Sequence, residues 1–206
     1  MIKVLGKIPS GCELACSGGV DSMAAGSFLD QMRINHTKIF FDHGTETSSK
    51  ALKFLRSDPQ TQCIEGRLET GKISGSKPKD ESWEEFWRNE RNKFFKSRNT
   101  FIVTAHHLED AVETYVWSSL HGTAKTPLYF NGLVYRPFLL NRKEELIDWA
   151  TRHDVKWIED ETNGDTGYTR NYIRKELMPH VLQVNKGIHK VVKKKIISQY
   201  KEKQHD

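Results

Sequence analysis

The chain has 206 residues, 29% of them charged and 10% aromatic. That is long enough for one domain with a real core, and the N-terminus holds no apolar run of the kind a membrane span or signal peptide needs. Cys12, Cys16 and Cys63 form no C-x-x-C pair, which argues against a disulfide framework or the usual zinc and iron–sulfur spacing and points to a reducing, cytoplasmic setting. The net charge of +5 sits in the tail, where residues 186–206 carry seven Lys against Glu202 and Asp206.

The first elements are a short apolar strand over 13–16, the sequence Ser-Gly-Gly-Val-Asp-Ser at 17–22, and an Ala-, Leu- and Met-rich helix over 23–32. A strand, a Gly-Gly turn and a helix N-terminus make an anion cradle, because glycines let backbone N–H groups approach a phosphate and the helix dipole favours its charge. The Lys of the usual P-loop is absent. A second strand is expected over 38–41, a helix from a Ser48 cap to about Arg56, and a short strand over 62–64. Residues 66–82 read as a mobile Gly/Ser/Lys loop. A helix over 83–96 follows, striped by Trp83, Phe86, Trp87, Phe94 and Phe95. Then come a strand over 100–105, a helix over 110–120, a turn-rich stretch over 121–133, a helix over 142–153, a turn over 163–167 and a helical 168–177 ended by Pro179. In the tail, Ile188, Val191, Val192, Ile196 and Tyr200 recur at helical spacing between Lys190, Lys193 and Lys194. This alternation predicts an α/β fold, a parallel sheet with helices on both faces and ligands at the strands' carboxyl ends.

Three constellations carry chemistry. His106 ends a strand, and Asp110 and Glu113 share a face one turn apart; the group can hold a cation, bind an ammonium or shuttle a proton, or it can be simple helix capping. Glu85, Arg88 and Arg91 form either a salt-bridge ladder or a phosphate site. Arg170, Asn171 and Arg174, with Tyr168 and Tyr172, suit an RNA strand or a solvated face. The tail helix reads as packed on the body with a basic face, which is either solvated or turned to nucleic-acid phosphate.

In order, these segments resemble the N-type ATP pyrophosphatases, whose PP-loop is matched by residues 17–22, and within them the tRNA(Ile)-lysidine synthase family. Asp42-His43-Gly44, Glu85/Arg88/Arg91, His106-His107 with Asp110, Glu113 and Thr114, Arg136-Pro137 with Leu139, Trp157/Asp160/Asn163 and Arg170-Asn171 with Arg174 stand where that family has its motifs. The chain departs from it at Asn92, where the family usually has Tyr, at His121-Gly122-Thr123-Ala124, and near Thr45 and Glu46, where a basic residue is common. Bacterial members typically continue into C-terminal domains that help hold tRNA, and the resemblance would make this sequence a compact form.

The resemblance implies a Rossmann-like PP-loop domain over residues 1–140 and a helical extension over 141–206 packed on it. It implies a ligase that adenylates C2 of a tRNA wobble cytidine and joins L-lysine to it. ATP would lie on Ser17, Gly18, Gly19, Val20, Asp21 and Ser22 with His106, and Asp21 would organise Mg2+. Asp110 and Glu113 would hold the lysine ammonium and accept its proton. Arg88, Arg91, Arg170, Asn171 and Arg174 would bind phosphates of ATP or of the tRNA anticodon loop, with a second protomer of a homodimer as another holder. The other readings are a different PP-loop tRNA-modifying enzyme, a small-substrate amidating ligase, or a non-catalytic RNA-binding derivative.

Overall fold

The structure, a computed structural model, describes residues 1–57, 69–73, 76–159, 167 and 169–204. Its centre is a five-stranded sheet in the order β3-β2-β1-β4-β5, built from β1 (Cys12–Ala15), β2 (His36–Asp42), β3 (Glu69–Lys72), β4 (Ile102–Val103) and β5 (Val134–Tyr135). Every pairing is parallel. The helices are α1 (Val20–Gln31), α2 (Glu46–Ser57), α3 (Trp83–Ser97), α4 (Leu108–Leu120), α5 (Lys143–Arg152), α6 (Thr169–Tyr172), α7 (Met178–Val184) and α8 (Ile188–Glu202), with a π-helical turn at Ile173–Leu177. Among the described residues no helix is long and apolar enough to cross a membrane.

Alternation along the strands divides the core. Leu14, Phe40 and Val103 pack with Phe28 of α1, Leu55 of α2 and Leu146 of α5, whereas Ile39, Ile102 and Val134 pack with Phe95 of α3. A third cluster joins Val112 and Val116 of α4 to Ile188, Val192 and Ile196 of α8. Both sheet faces are therefore covered, as parallel strands require. Helix α1 is buried almost all round, and Gly26 makes this possible: a Cβ there would stand 3.0 Å from Lys38 Cε and 3.3 Å from Leu14 Cδ2.

Several elements differ from expectation. Strand β3 lies inside the stretch read as loop, and β5 was not anticipated. Helix α2 starts earlier than Ser48, whose backbone N–H is accepted by Thr45 Oγ1 at 3.1 Å, so Thr45 does the capping. Helix α4 starts at Leu108 rather than Asp110. Pro179 does not end the helical run: it occupies the first turn of α7, where its missing N–H is harmless, and the π turn ahead of it widens the chain, with Met178 N–H reaching Ile173 O. Val191 is 46% exposed and lies off the packed face of α8. The strand expected over 62–64, most of the turn over 163–167, Tyr168, Asp160 and Asn163 lie outside the described residues.

Candidate active site

The chain runs from β1 outward through β2 and β3, then returns to place β4 and β5 on the other side of β1. The order reverses between β1 and β4, and in such sheets ligands bind in the crevice outside the carboxyl ends of those strands. The loop 17–22 follows β1 and the segment 104–110 follows β4, so the topology alone brings the two constellations to one place.

The loop is held from within. Ser22 Oγ accepts from Ser17 N–H at 3.1 Å and donates to Gly19 O at 3.0 Å. Gly18 has φ +83°, in the left-handed region that favours glycine, and a Cβ there would meet Ile158 Cγ1 at 3.4 Å. Its carbonyl accepts from Ile158 N–H at 3.0 Å, which ties the loop to the chain after α5. Gly19 caps α1 with extended backbone. The turn thus fixes the first N–H groups of α1 beside open backbone, a shape that suits an anion.

Asp21, in the first turn of α1, is raised from its ordinary value, first by burial and then by Asp110, against the opposing pull of His107, Lys143 and Arg174. Its Oδ1 is buried without a hydrogen-bond partner. An orphaned carboxylate oxygen beside an anion cradle fits a hard cation shared with a phosphate, the coordination Mg2+ favours. Among the described residues no cluster of three His, Cys, Asp or Glu could hold a metal alone, so such an ion would need substrate oxygens.

His107 joins the two loops. It caps α4, with Asp110 Oδ2 accepting from its N–H at 3.0 Å. Its Nε2 lies 3.7 Å from Asp21 Oδ2 and 3.6 Å from Asp110 Oδ2. Nδ1 is 3.1 Å from Glu109 Oε2, close enough for an ion pair but poorly aligned for a hydrogen bond. Burial pushes the imidazole down, and Glu109, Asp110 and Asp21 together outweigh it, so His107 is raised and favours its charged form. Glu109 resists burial through His107, the Lys143 N–H at 2.8 Å and the Arg142 guanidinium, and falls to about 2.

His106 behaves oppositely. Burial first, and then Arg170, Arg136 and Arg91, lower it to about 3 against the opposing effect of Asp110, so it is neutral at physiological pH. Its Nδ1 is 2.7 Å from Thr104 Oγ1. The Thr104 hydroxyl donates to Tyr135 O at 3.4 Å; its oxygen then accepts from Nδ1–H, which leaves Nε2 as an acceptor for a ligand.

Asp110 and Glu113 are both buried and both held by arginine. Arg174 Nε and Nη2 meet Glu113 Oε1 and Oε2 at 2.7 and 3.0 Å, Arg170 Nη2 meets Asp110 Oδ1 at 2.7 Å, and Arg170 Nε meets Glu113 Oε2 at 3.3 Å. Burial works against ionisation of Asp110, yet His107, Arg170, His106 and the His107 N–H hold it far below the carboxylate range. Glu84 of α3 accepts from the N–H groups of Thr169 and Arg170 at 3.1 and 3.3 Å, which anchors the start of α6.

The remaining arginines are less compensated. Arg91 is lowered to about 10 by burial and by Arg170, Arg88 and Arg136, and Arg136 is lowered by burial and Arg88. Arg88 is exposed on α3, and Asn171 is half-buried on α6. Residues 17–22, His106, Asp110, Glu113, Arg170 and Arg174 are thus gathered at the crevice, with Arg91 near enough to feel Arg170. Sequence reasoning gave no role to His107, Glu109 or Arg136. The doubled His106-His107 was the available signal for the first, and the Arg-Pro turn for the last.

A family model described as PP-loop domain matches residues 7–181. The chain belongs to the PP-loop domain family. Within it, the chain is 30% identical over 200 residues to a tRNA(Ile)-lysidine synthase of Francisella philomiragia, covering 90% of this chain and 49% of that protein. It is 31% identical over 187 residues to one of Thermosipho africanus, covering 84% and 44%. It is 39% identical over 116 residues to one of Legionella pneumophila, covering 51% and 27%. This PP-loop chain spans about half the length, or less, of the curated relatives it matches.

Proposed function

We propose that this PP-loop chain is an ATP-dependent ligase of the tRNA(Ile)-lysidine synthase type. The reading is carried by one observation: the glycine loop after β1 and the carboxylate pair after β4 flank the same crevice, bridged by His107. The names of the relatives and the order of the motifs support it.

ATP would lie with its phosphates on the N–H groups of the loop and the start of α1. Mg2+ held by Asp21 and phosphate oxygens would neutralise charge on the leaving pyrophosphate. The C2 oxygen of a tRNA wobble cytidine would attack the α-phosphate, in a step that depends on positioning and charge. His106, neutral, would contact the nucleotide through Nε2. Arg91, Arg136 and Arg88 would meet phosphate, since their mutual repulsion makes an anion welcome among them.

In the second step the ε-amine of lysine would attack C2 and AMP would leave. Asp110 and Glu113 retain lone pairs beyond those used by arginine, and would hold the ammonium. Asp110 and Glu113 are together the proposed proton acceptors. Arg170, Arg174 and Asn171 would act at the carboxylates and on RNA phosphate together. The catalytic body at 1–140, the helical part at 141–206 and a cytoplasmic setting belong to the same reading. Incubation with ATP, labelled lysine and tRNA tests it: label must enter tRNA with release of AMP and pyrophosphate. Pyrophosphate release with lysine left free would favour another PP-loop ligase.

A further inference from the structure

One cavity among the described residues lies far from the chemistry. It measures about 880 Å3, within the range of ligand sites, about 300–1,000 Å3. Its walls come from residues 7–10, which lead into β1, from Arg33 and Ile34 before β2, from 128–132 before β5, and from the end of α8. It therefore opens at the amino ends of the strands, opposite the crevice.

Its lining joins aromatic rings to unopposed positive charge. Phe130 stacks on Tyr135 with centroids 4.3 Å apart, Tyr129 packs edge-on against Tyr135 at 5.4 Å, and Tyr200 of α8 packs edge-on against Tyr129 at 5.1 Å. Each ring is locked by its neighbours while remaining only half-buried. Lys7, Arg33 and Lys203 are exposed on the rim, no lining residue is acidic, and none of the three cations makes an ion pair among the described residues. Gln204 at the rim donates to Tyr200 Oη at 2.5 Å. Preordered rings beside unpaired cations and side-chain amides match an unpaired nucleotide of RNA, with its base on the rings and its phosphates on the rim. An apolar protein segment would leave the three charges unanswered.

We propose that this groove binds an unpaired stretch of the RNA substrate, away from the reacting nucleotide. The inference rests on the reading of RNA as the substrate. It also gives the basic tail a definite use: Tyr200 and Lys203 bring the end of α8 to a stacking surface.

The test uses the full chain and a tRNA transcript carrying cytidine at the wobble position, without ATP or lysine. In the variant K7Q/R33Q/K203Q the log–log salt dependence of binding should flatten by roughly 0.7 per lost phosphate contact. Tyr200→Leu, which keeps an apolar wall, should weaken binding at least about fivefold. Photocrosslinking of a 4-thiouridine-substituted transcript should label the tryptic peptides 126–142 and 196–201. Unchanged affinity and slope in both variants, each with a wild-type melting temperature, would overturn the proposal. So would crosslinks confined to 13–22 and 104–114, or a change in self-association without a change in RNA affinity. Failure to incorporate lysine, with groove-dependent RNA binding intact, would sink the ligase reading and leave this one standing.

Discussion

Arg174 grips Glu113 with two hydrogen bonds, Nε to Oε1 at 2.7 Å and Nη2 to Oε2 at 3.0 Å. The residues lie 61 positions apart, one on the π turn and the other mid-way along α4, so this contact fastens the end of the matched domain to the carboxylates of the crevice. Arg174→Ala would leave a buried carboxylate with only the longer Arg170 contact. Since Arg174 is 37% exposed, the cost should fall below that of a fully buried pair, at about 2–3 kcal/mol. Denaturant unfolding measures it, and the double variant Glu113→Gln with Arg174→Gln should recover part of the loss. A loss below about 0.5 kcal/mol in Arg174→Ala would show the clamp to be idle.

Asp21 pits stability against function. Its raised pKa means that the folded state disfavours the carboxylate charge, so Asp21→Asn should keep or raise the melting temperature at pH 7. The same change should remove pyrophosphate release almost entirely. Near-normal turnover in a folded Asp21→Asn protein would contradict the placing of the phosphates on the loop.

The pH dependence of stability has two arms. Glu109 and Asp110 are lowered by folding, so their contribution is full above about pH 4.5 and is lost as pH falls through their folded values. His107 is raised, so its contribution is full below its unfolded value of about 6.5 and is lost as pH rises through the folded one. Asp21 is raised, so its contribution is full below its unfolded value of about 3.9 and is lost as pH rises through the folded one. His106 is lowered to about 3, so its contribution is full above its unfolded value of about 6.5 and is lost as pH falls toward the folded one; melting temperature should therefore be highest near about pH 6.5. In His107→Asn, which can still cap α4, the alkaline decline should be shallower; an identical decline would remove His107 as its source.

The cations of the tail are not equivalent. Lys193 Nζ donates to Leu140 O at 3.0 Å, and Lys195 lies 5.5 Å from the Tyr115 ring centroid, whereas Lys190 and Lys194 are exposed. Lys193→Gln should cost about 1 kcal/mol of stability. Lys190→Gln with Lys194→Gln should leave stability alone and lower the salt slope of tRNA binding only if that face meets RNA. Melting curves and a salt titration separate the two effects.

These contacts mark what a sequence can convey. The loop at 17–22 and helix α3 were legible because glycine spacing and an aromatic stripe are local signals. Strand β3 was not, because Glu-Thr-Gly-Lys has no strand pattern and forms only by pairing with β2. Strands β4 and β5 are two residues each, too short for alternation to register. Asp110 and Glu113 could be placed on one face, and Arg170 and Arg174 on another, but their mutual pairing is a product of the tertiary fold. Thr45 rather than Ser48 caps α2 because a hydroxyl three residues upstream is a better partner for the Ser48 N–H than Ser48 is for its own helix.

A single turnover with ATP, tRNA and labelled lysine, followed by separation of free, adenylated and lysine-bearing tRNA, bears most directly on the ligase reading. The wild-type chain should form labelled tRNA with one pyrophosphate and one AMP for each lysine joined. Glu113→Gln should release pyrophosphate and accumulate adenylated tRNA that carries no label, because activation needs the loop while transfer needs the carboxylate. Equal loss of both steps would move Glu113 to the ATP side of the site, and wild-type activation with no label in tRNA would contradict lysine transfer altogether.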